Sequence, residues 1–442
     1  MKVEPKTLAG FTDLLPWEAS KKEKLLLIFR DVFKSFGFVP IETPHLEYLD
    51  ILVGDKEEEI NKQIYSFKDK GERLVGLRFD LTVPLSRYVV AHYAELSFPF
   101  KRYAIGNVFR GEKPQKGRLR EFTQCDFDII GSFSPSADAE ILEIASKALT
   151  KIGIAHKIKV SSREVMNSYI NTIQGEDKIE VILRALDKFD KIGEEGVKKE
   201  LKKIGLSESE VKELFVLISI KDSNWRNALE QAEELAKGRS QVFTAGIKRL
   251  YDILEIAESG GAKNLSIDFS IVRGLGYYTG FVFEALAVDY PDIGSICGGG
   301  RYDNLTDRFS TGKIEKEGKI KGAVGAAFGV DRILSVLKEQ ESQLLDSLPS
   351  LFMVLGEEVS FTLAHSVAAR ARELGAAVYI YPERASFKKQ FKFADKAGAR
   401  FVLILGEEEV SAGFYTLKDL KTGEQKKVGS IEEVVNIYRK NL

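Results

Sequence analysis

Apolar residues recur at helical spacing through EASKKEKLLLIFRDVFKSFG, where Leu25, Phe29, Val32, Phe33 and Phe36 share one stripe and Gly37 is a natural stop. The residues that follow, FVPIETPHLEYLD, read as extended chain, and Pro40 and Pro44 confine that piece to an edge or an interface. Short strands are then predicted in RLVGLRFDLT, in the hairpin VFRGEKPQKGRLREFTQCDFDIIG, in NLSIDFSIVRG, in YYTGFVFEAL and in KGAVGAAFGV. Strands that follow one another without regular intervening helices imply an antiparallel sheet with helices packed against it, an α+β layout. Residues from about 165 to 245 differ, being dense in Lys and Glu at helical period, and read as a helical insertion.

After the helix VDRILSVLKEQESQ, the stretch LLDSLPS reads as a linker, which bounds a first domain at 1–338. Strand and helix then alternate through LFMVLG, SFTLAHSVAARARELG, AAVYIYP, SFKKQFKFADKAGA and RFVLILG, so the second domain, 350–442, is predicted to be α/β with a parallel sheet. It closes with a hairpin turning at Thr422 and Gly423, then a helix opened by a capping box of Ser430 and Glu433.

Composition narrows this picture only slightly. The 442 residues, 44% hydrophobic and 30% charged, suit a folded protein of two or three domains. A formal net charge of −1 rules out a global polycation, so any nucleic-acid contact must come from local patches. Cys125 and Cys297 make no disulfide framework and no metal-ligand spacing, which fits a reducing compartment. The first residues lack the apolar core of a signal peptide, and no apolar run approaches the roughly 18 residues that cross a bilayer, so a cytoplasmic protein without membrane contact is expected. His45, His92, His156 and His365 form no cluster by spacing, and no metal site is assigned.

The hairpin carries the chemistry. Strand side chains alternate between faces, so on its second strand Arg118, Arg120, Phe122, Gln124, Asp126 and Asp128 share one side, and Leu119, Cys125, Phe127 and Ile129 share the other. Arg110 and Glu112 share a face of the first strand. A solvated face dotted with weak ion pairs is one reading. The order along the face favours another: cations at the turn end, an aromatic in the middle, then an amide and acids. That sequence of types suits a ligand with phosphates at one end and an amine or imidazole at the other, because Arg forks onto phosphate and Phe122 offers a base a stacking surface.

Three further stretches add to this. SIVRGLGYYTGFVFEA sets Arg273 before a glycine-bearing turn and two adjacent tyrosines, which parity sends to opposite faces. GSICGGGRYDNL places Gly298, Gly299 and Gly300 in a row, which permits unusual backbone angles and close ligand approach. GAVGAAFGVDRIL runs from a strand of small residues into a helix with Arg332 in its first turn, where a cation opposes the helix dipole and calls for an anionic partner.

Together these stretches resemble the class II aminoacyl-tRNA synthetases, and within them the histidyl-tRNA synthetase family. The first helix with FVPIETPHLE is similar to the dimer-forming first class motif, FRGEKPQKGRLREFTQCDFDIIG to the second and GAVGAAFGVDRIL to the third. IVRGLGYYTGFVFE and GGGRYDNL resemble the two histidine-specific signatures, and the C-terminal domain resembles the anticodon-binding domain of the subgroup. One position departs: the family commonly has an acid after RGL, where this chain has Gly276.

The resemblance implies a histidine–tRNA ligase that activates L-histidine with ATP to histidyl-adenylate and passes it to the 3′ end of tRNA(His). It implies that Arg110 and Arg273 hold the α-phosphate and act in catalysis, that Arg118 and Arg332 take the β- and γ-phosphates, and that Phe122 stacks the adenine with Arg332 on its other face. Mg2+ bound with ATP is implied, with Glu112 a contributor. For histidine it assigns Asp80, Thr82 and Gln124 to the α-amino group and Asp128 and Tyr278 to the imidazole, with Arg273 and Tyr277 also in that pocket. Gln115 and Lys116 are implied at the acceptor end of tRNA, and Lys388, Lys389, Lys392 and Lys396 near its backbone, although a solvated lysine face reads equally well. A two-fold homodimer is the default for the class. The rival readings are a non-charging paralogue acting as a regulatory subunit of histidine biosynthesis, and a histidine- or RNA-sensing module.

Overall fold

The computed structural model describes residues 3–53, 61–113, 119–271, 278–309, 320, 322–340 and 351–440. The chain divides into two compact units, one of residues 1–13 and 22–341, the other of 14–21 and 342–442.

The stripe read in the sequence forms α1, Pro16–Ser35, which starts on proline and stops before Gly37 at φ +77°. Leu25, Phe29, Val32 and Phe33 are buried, while Phe36 is only half-buried beneath the Lys147 ammonium. The following strands are β1 (Val39–Pro40), β2 (Leu46–Tyr48), β3 (Ser66–Lys68) and β4 (Leu74–Leu77). β2, β4 and β3 make a small antiparallel sheet, and β1 lies at an edge of the large one, as its proline requires.

The large sheet has eight strands in the order β1-β5-β6-β11-β10-β9-β7-β8, with β5 Phe100–Phe109, β6 Glu121–Ile130, β7 His156–Ser162, β8 Leu265–Ile267, β9 Phe281–Ala287, β10 Ser295–Arg301 and β11 Ala323–Gly329. Its six central strands are antiparallel, and only the two edge pairings are parallel. One face is closed by aromatics: Phe29 stacks on Phe328 at 4.5 Å, and Phe33 lies 5.2 Å from Phe127 and 5.1 Å from Tyr103. Helix Pro135–Lys151 also packs against this sheet.

Between β7 and β8 the chain is helical from Arg163 to Ser259, with a true capping box at Ser207 and Glu210 opening one helix. Two expectations need correction. RLVGLRFDLT is strand only over Leu74–Leu77; helix α2, Thr82–Ala91, begins inside it, because the Asp80 carboxylate accepts the Val83 N–H at 3.0 Å and nucleates a helical turn. The glycine run is ordinary strand β10, with none of Gly298, Gly299 and Gly300 at positive φ. What Gly299 and Gly300 permit is close strand packing, since a Cβ on Gly299 would collide with the Gly325 carbonyl and one on Gly300 would lie 2.5 Å from the Phe281 carbonyl.

The second unit carries β12 (Leu351–Leu355), β13 (Val378–Ile380), β14 (Phe401–Leu405), β15 (Tyr415–Asp419) and β16 (Gln425–Val428) in the order β13-β12-β14-β15-β16. The first three are parallel, and the last two form the predicted hairpin, with Gly423 at φ +77°. Leu351, Met353 and Leu355 bury on one face, Phe352 and Val354 on the other, as a parallel sheet covered on both sides requires. The final cap is half the predicted box: Ser430 accepts the Glu433 N–H, but the Glu433 carboxylate takes the Gly429 N–H.

Candidate functional site

The sheet face opposite the aromatic layer opens into a cavity of about 470 Å3, a size suited to a small-molecule ligand. The parity of β6 sets its floor. Phe122, Gln124, Asp126 and Asp128 line it, while Cys125, Phe127 and Ile129 are buried on the other side. The seven residues from Phe122 to Asp128 span about 20 Å of strand, which gives the floor two distinct ends.

At the Phe122 end, Arg110 follows β5 and places its guanidinium 5.1 Å from the Phe122 ring centroid. Its Nε donates to the Phe79 carbonyl at 3.0 Å, and the Phe109 N–H donates to the Arg78 carbonyl, so the segment carrying Asp80 is tied to the end of β5. Arg332 enters from the first turn of α3, Val330–Glu339, and its Nη1 donates to the Ser295 carbonyl at 2.7 Å. The neighbouring Asp331 accepts the Thr123 N–H at 2.8 Å and pins α3 to β6. Glu112 lies half-buried on the same lining.

The other end is acidic and dry. Asp80, Asp126 and Asp128 are 2–3% exposed and Tyr278 is 8% exposed. Asp128 shares its register with Arg102 on β5 and Gly325 on β11, and a Cβ on Gly325 would collide with the Asp128 carboxylate, so that glycine keeps the space open. Arg102 is fully buried, and its Nη2 lies 2.7 Å from Asp128 Oδ2. Tyr302, just after β10, donates its hydroxyl to Asp128 Oδ1 in a short hydrogen bond. Burial pushes the Asp128 carboxyl up despite Arg102 and the Tyr302 hydroxyl, and pushes Asp126 much further, with Asp128 and Asp80 reinforcing burial there.

The structure therefore brings Asp80, Thr82, Arg110, Glu112, Phe122, Gln124, Asp128, Tyr278 and Arg332 onto one cavity. Gln115, Lys116, Arg118, Arg273, Gly276 and Tyr277 lie outside the described residues. Lys388, Lys389, Lys392 and Lys396 are exposed on helix Phe387–Lys396 of the second unit.

Sequence reasoning gave no role to Arg102, Tyr302, Asp187 or Glu284 and none to Asp126 beyond its place among the acids of the β6 face; all but Arg102 line the cavity. Asp126 was legible from parity and Tyr302 from its place beside the glycine run. Arg102 carries no signal in sequence, because nothing marks one arginine in a strand as pairing with an aspartate 26 residues on.

The family model for histidyl-tRNA synthetase matches residues 10–333, and that for an anticodon binding domain matches 351–441. A histidine–tRNA ligase of Wolinella succinogenes is 44% identical, covering 98% of both chains, and one of Helicobacter pylori is 43% identical over 99% of both. The crystal structure of histidyl-tRNA synthetase from Nostoc sp. PCC 7120 superposes with a TM-score of 0.86 at 31% identity over the full length of both chains. With two family models laid end to end along it and relatives matched over nearly their whole length, the chain belongs to the histidyl-tRNA synthetase family.

Proposed function

We propose that the chain's activity, ATP-dependent ligation of histidine to tRNA, is carried by a cavity that holds the two small substrates end to end. One observation supports the reading above the rest: Arg110, Phe122 and Arg332 meet at one end of the β6 floor, and Asp80, Gln124, Asp128 and Tyr278 at the other. Arg110 takes the α-phosphate with Arg273, Arg332 and Arg118 take the outer phosphates, and Phe122 stacks the adenine. Asp80, Thr82 and Gln124 surround the α-ammonium as acceptors. Asp128 accepts one imidazole N–H, and Tyr278 donates to the other nitrogen.

The histidine carboxylate then attacks the α-phosphorus in line and pyrophosphate leaves; a ribose hydroxyl of the tRNA terminus next attacks the acyl carbon of the adenylate, with release of AMP and the hydroxyl proton. The residues align the reactants and neutralise phosphate charge, and no side chain needs to take a proton from the already ionised carboxylate. Mg2+, when bound, would add positive charge to the phosphates, and Glu112, a carboxylate on the same lining as Arg110, would hold it.

The chain works as a homodimer in this reading, because the β2-β4-β3 sheet leaves Leu46, Tyr48, Phe67 and Leu74 exposed. Two free cysteines suit a cytoplasmic setting. The exposed lysines of helix Phe387–Lys396 offer positive charge to the tRNA backbone, and Gln115 and Lys116 serve the acceptor end. The test is exchange of labelled pyrophosphate into ATP with each amino acid in turn. Exchange with histidine alone supports the assignment, and no histidine-dependent exchange overturns it.

A further inference from the structure

Of the cavity's carboxylates that have no place in the reading above, Asp126 is the buried one. Asp126 sits between Gln124 and Asp128 on the same face of β6 and is 2% exposed, and its Oδ1 has no hydrogen-bond partner among the described residues. A buried carboxylate oxygen left unbonded is costly, and proteins seldom retain one without use.

The cations around it do not settle the charge. Arg102, the buried guanidinium on the adjacent strand, is ion-paired at 2.7 Å with Asp128, which also takes the Tyr302 hydroxyl. Arg110 lies toward Phe122 and is tied to the Phe79 carbonyl. Asp80 and Asp128 each act on Asp126 with like charge. Among the described residues, three carboxylates thus share one dry end of the cavity with Arg102, paired to Asp128, and with Arg78, a buried arginine that donates to the Asn107 and Thr43 carbonyls, and a ligand bringing positive charge relieves the imbalance. Histidine's α-ammonium is its permanent cation at neutral pH.

We propose that Asp126 is a further histidine-recognition residue, whose Oδ1 accepts a hydrogen bond from the α-ammonium of bound histidine and shares that group with Asp80. The inference rests on the cavity being the histidine site. It makes the ammonium pocket a two-carboxylate clamp, which discriminates against imidazole compounds that lack an amine because they leave Asp126 buried and unbonded.

The experiment measures the histidine KM in pyrophosphate exchange for wild type and Asp126→Asn, and the inhibition constants of histidinol, which keeps the amine, and of 3-(imidazol-4-yl)propionate, which lacks it. Asp126→Asn keeps the side-chain shape; Asp126→Ser, smaller and also neutral, is used if the amide does not fold. The expected result is a rise of about tenfold or more in the histidine KM and in the histidinol constant, with the ATP KM unchanged and the propionate constant shifted little. An unchanged histidine KM in a folded variant, or equal weakening of both inhibitors, overturns the inference. Wild type without histidine-dependent exchange would instead refute the site assignment itself.

Discussion

Arg102 Nη2 lies 2.7 Å from Asp128 Oδ2 across adjacent strands, both side chains being removed from solvent. The pair has a double duty: it orients the carboxylate proposed to face the imidazole, and it is the only ion pair the structure gives Arg102 among the described residues. Breaking a buried pair by removing one partner strands the other charge. Asp128→Ala is therefore expected both to raise the histidine KM and to destabilise the fold by about 3–5 kcal/mol. Thermal melts beside exchange assays check this, and an Asp128→Ala protein as stable as wild type would contradict the burial argument.

Among the described residues, the Arg110 guanidinium makes two contacts that serve the fold, the hydrogen bond to the Phe79 carbonyl and the face of Phe122. Its guanidinium is otherwise available to phosphate. Arg110→Ala should lower pyrophosphate exchange by about 100-fold or more while leaving the melting midpoint nearly unchanged. Wild-type exchange in this variant would remove Arg110 from the chemistry.

Gly325 is the register partner of Asp128, and any side chain there meets the carboxylate. Gly325→Ala is predicted to raise the histidine KM by about tenfold or more as Asp128 is displaced, at a cost of about 1–3 kcal/mol of overpacking. Steady-state kinetics with histidine and ATP varied separately check this, since the ATP KM should hold.

The first strand pair and the cavity floor were legible because β6 is a regular strand: parity alone separates Gln124, Asp126 and Asp128 from Cys125, Phe127 and Ile129. The α1 stripe and the second unit were legible for the same reason, a single unbroken period. LRFDLT was misread because its helix starts on a side-chain cap, Asp80 onto the Val83 N–H, which hydrophobic pattern does not register. The glycines of β10 were misread because their demand comes from β11 and β9, neighbours that no local pattern reveals. Arg102 was missed because its meaning is a cross-strand partner.

Stability should carry a pH signature of Asp126. Its carboxyl is pushed well above the ordinary 3.8 by burial, reinforced by Asp128 and Asp80 and opposed by Arg102 and Arg110; Arg78, Cys125 and Tyr302 also feel its charge. Between the ordinary value and the raised one the folded chain holds a proton that the unfolded chain has lost. Its contribution to stability is therefore complete at low pH and falls as pH rises through that window. Asp126→Asn, with no proton to lose, should melt at or above the wild-type temperature at about pH 8, and its advantage should shrink toward about pH 4. A variant melting well below wild type at the higher pH would contradict the assignment of burial as the dominant cause.

In the proposed site one cavity holds nucleotide and imidazole at opposite ends of β6. A crystal structure with a non-reactive histidyl-adenylate analogue tests it most directly. The expected complex has adenine against Phe122, phosphate-mimicking oxygens on Arg110, and the imidazole within hydrogen-bonding distance of Asp128 and Tyr278. An analogue bound elsewhere, or bound in this cavity with the imidazole at the arginine end, would contradict it.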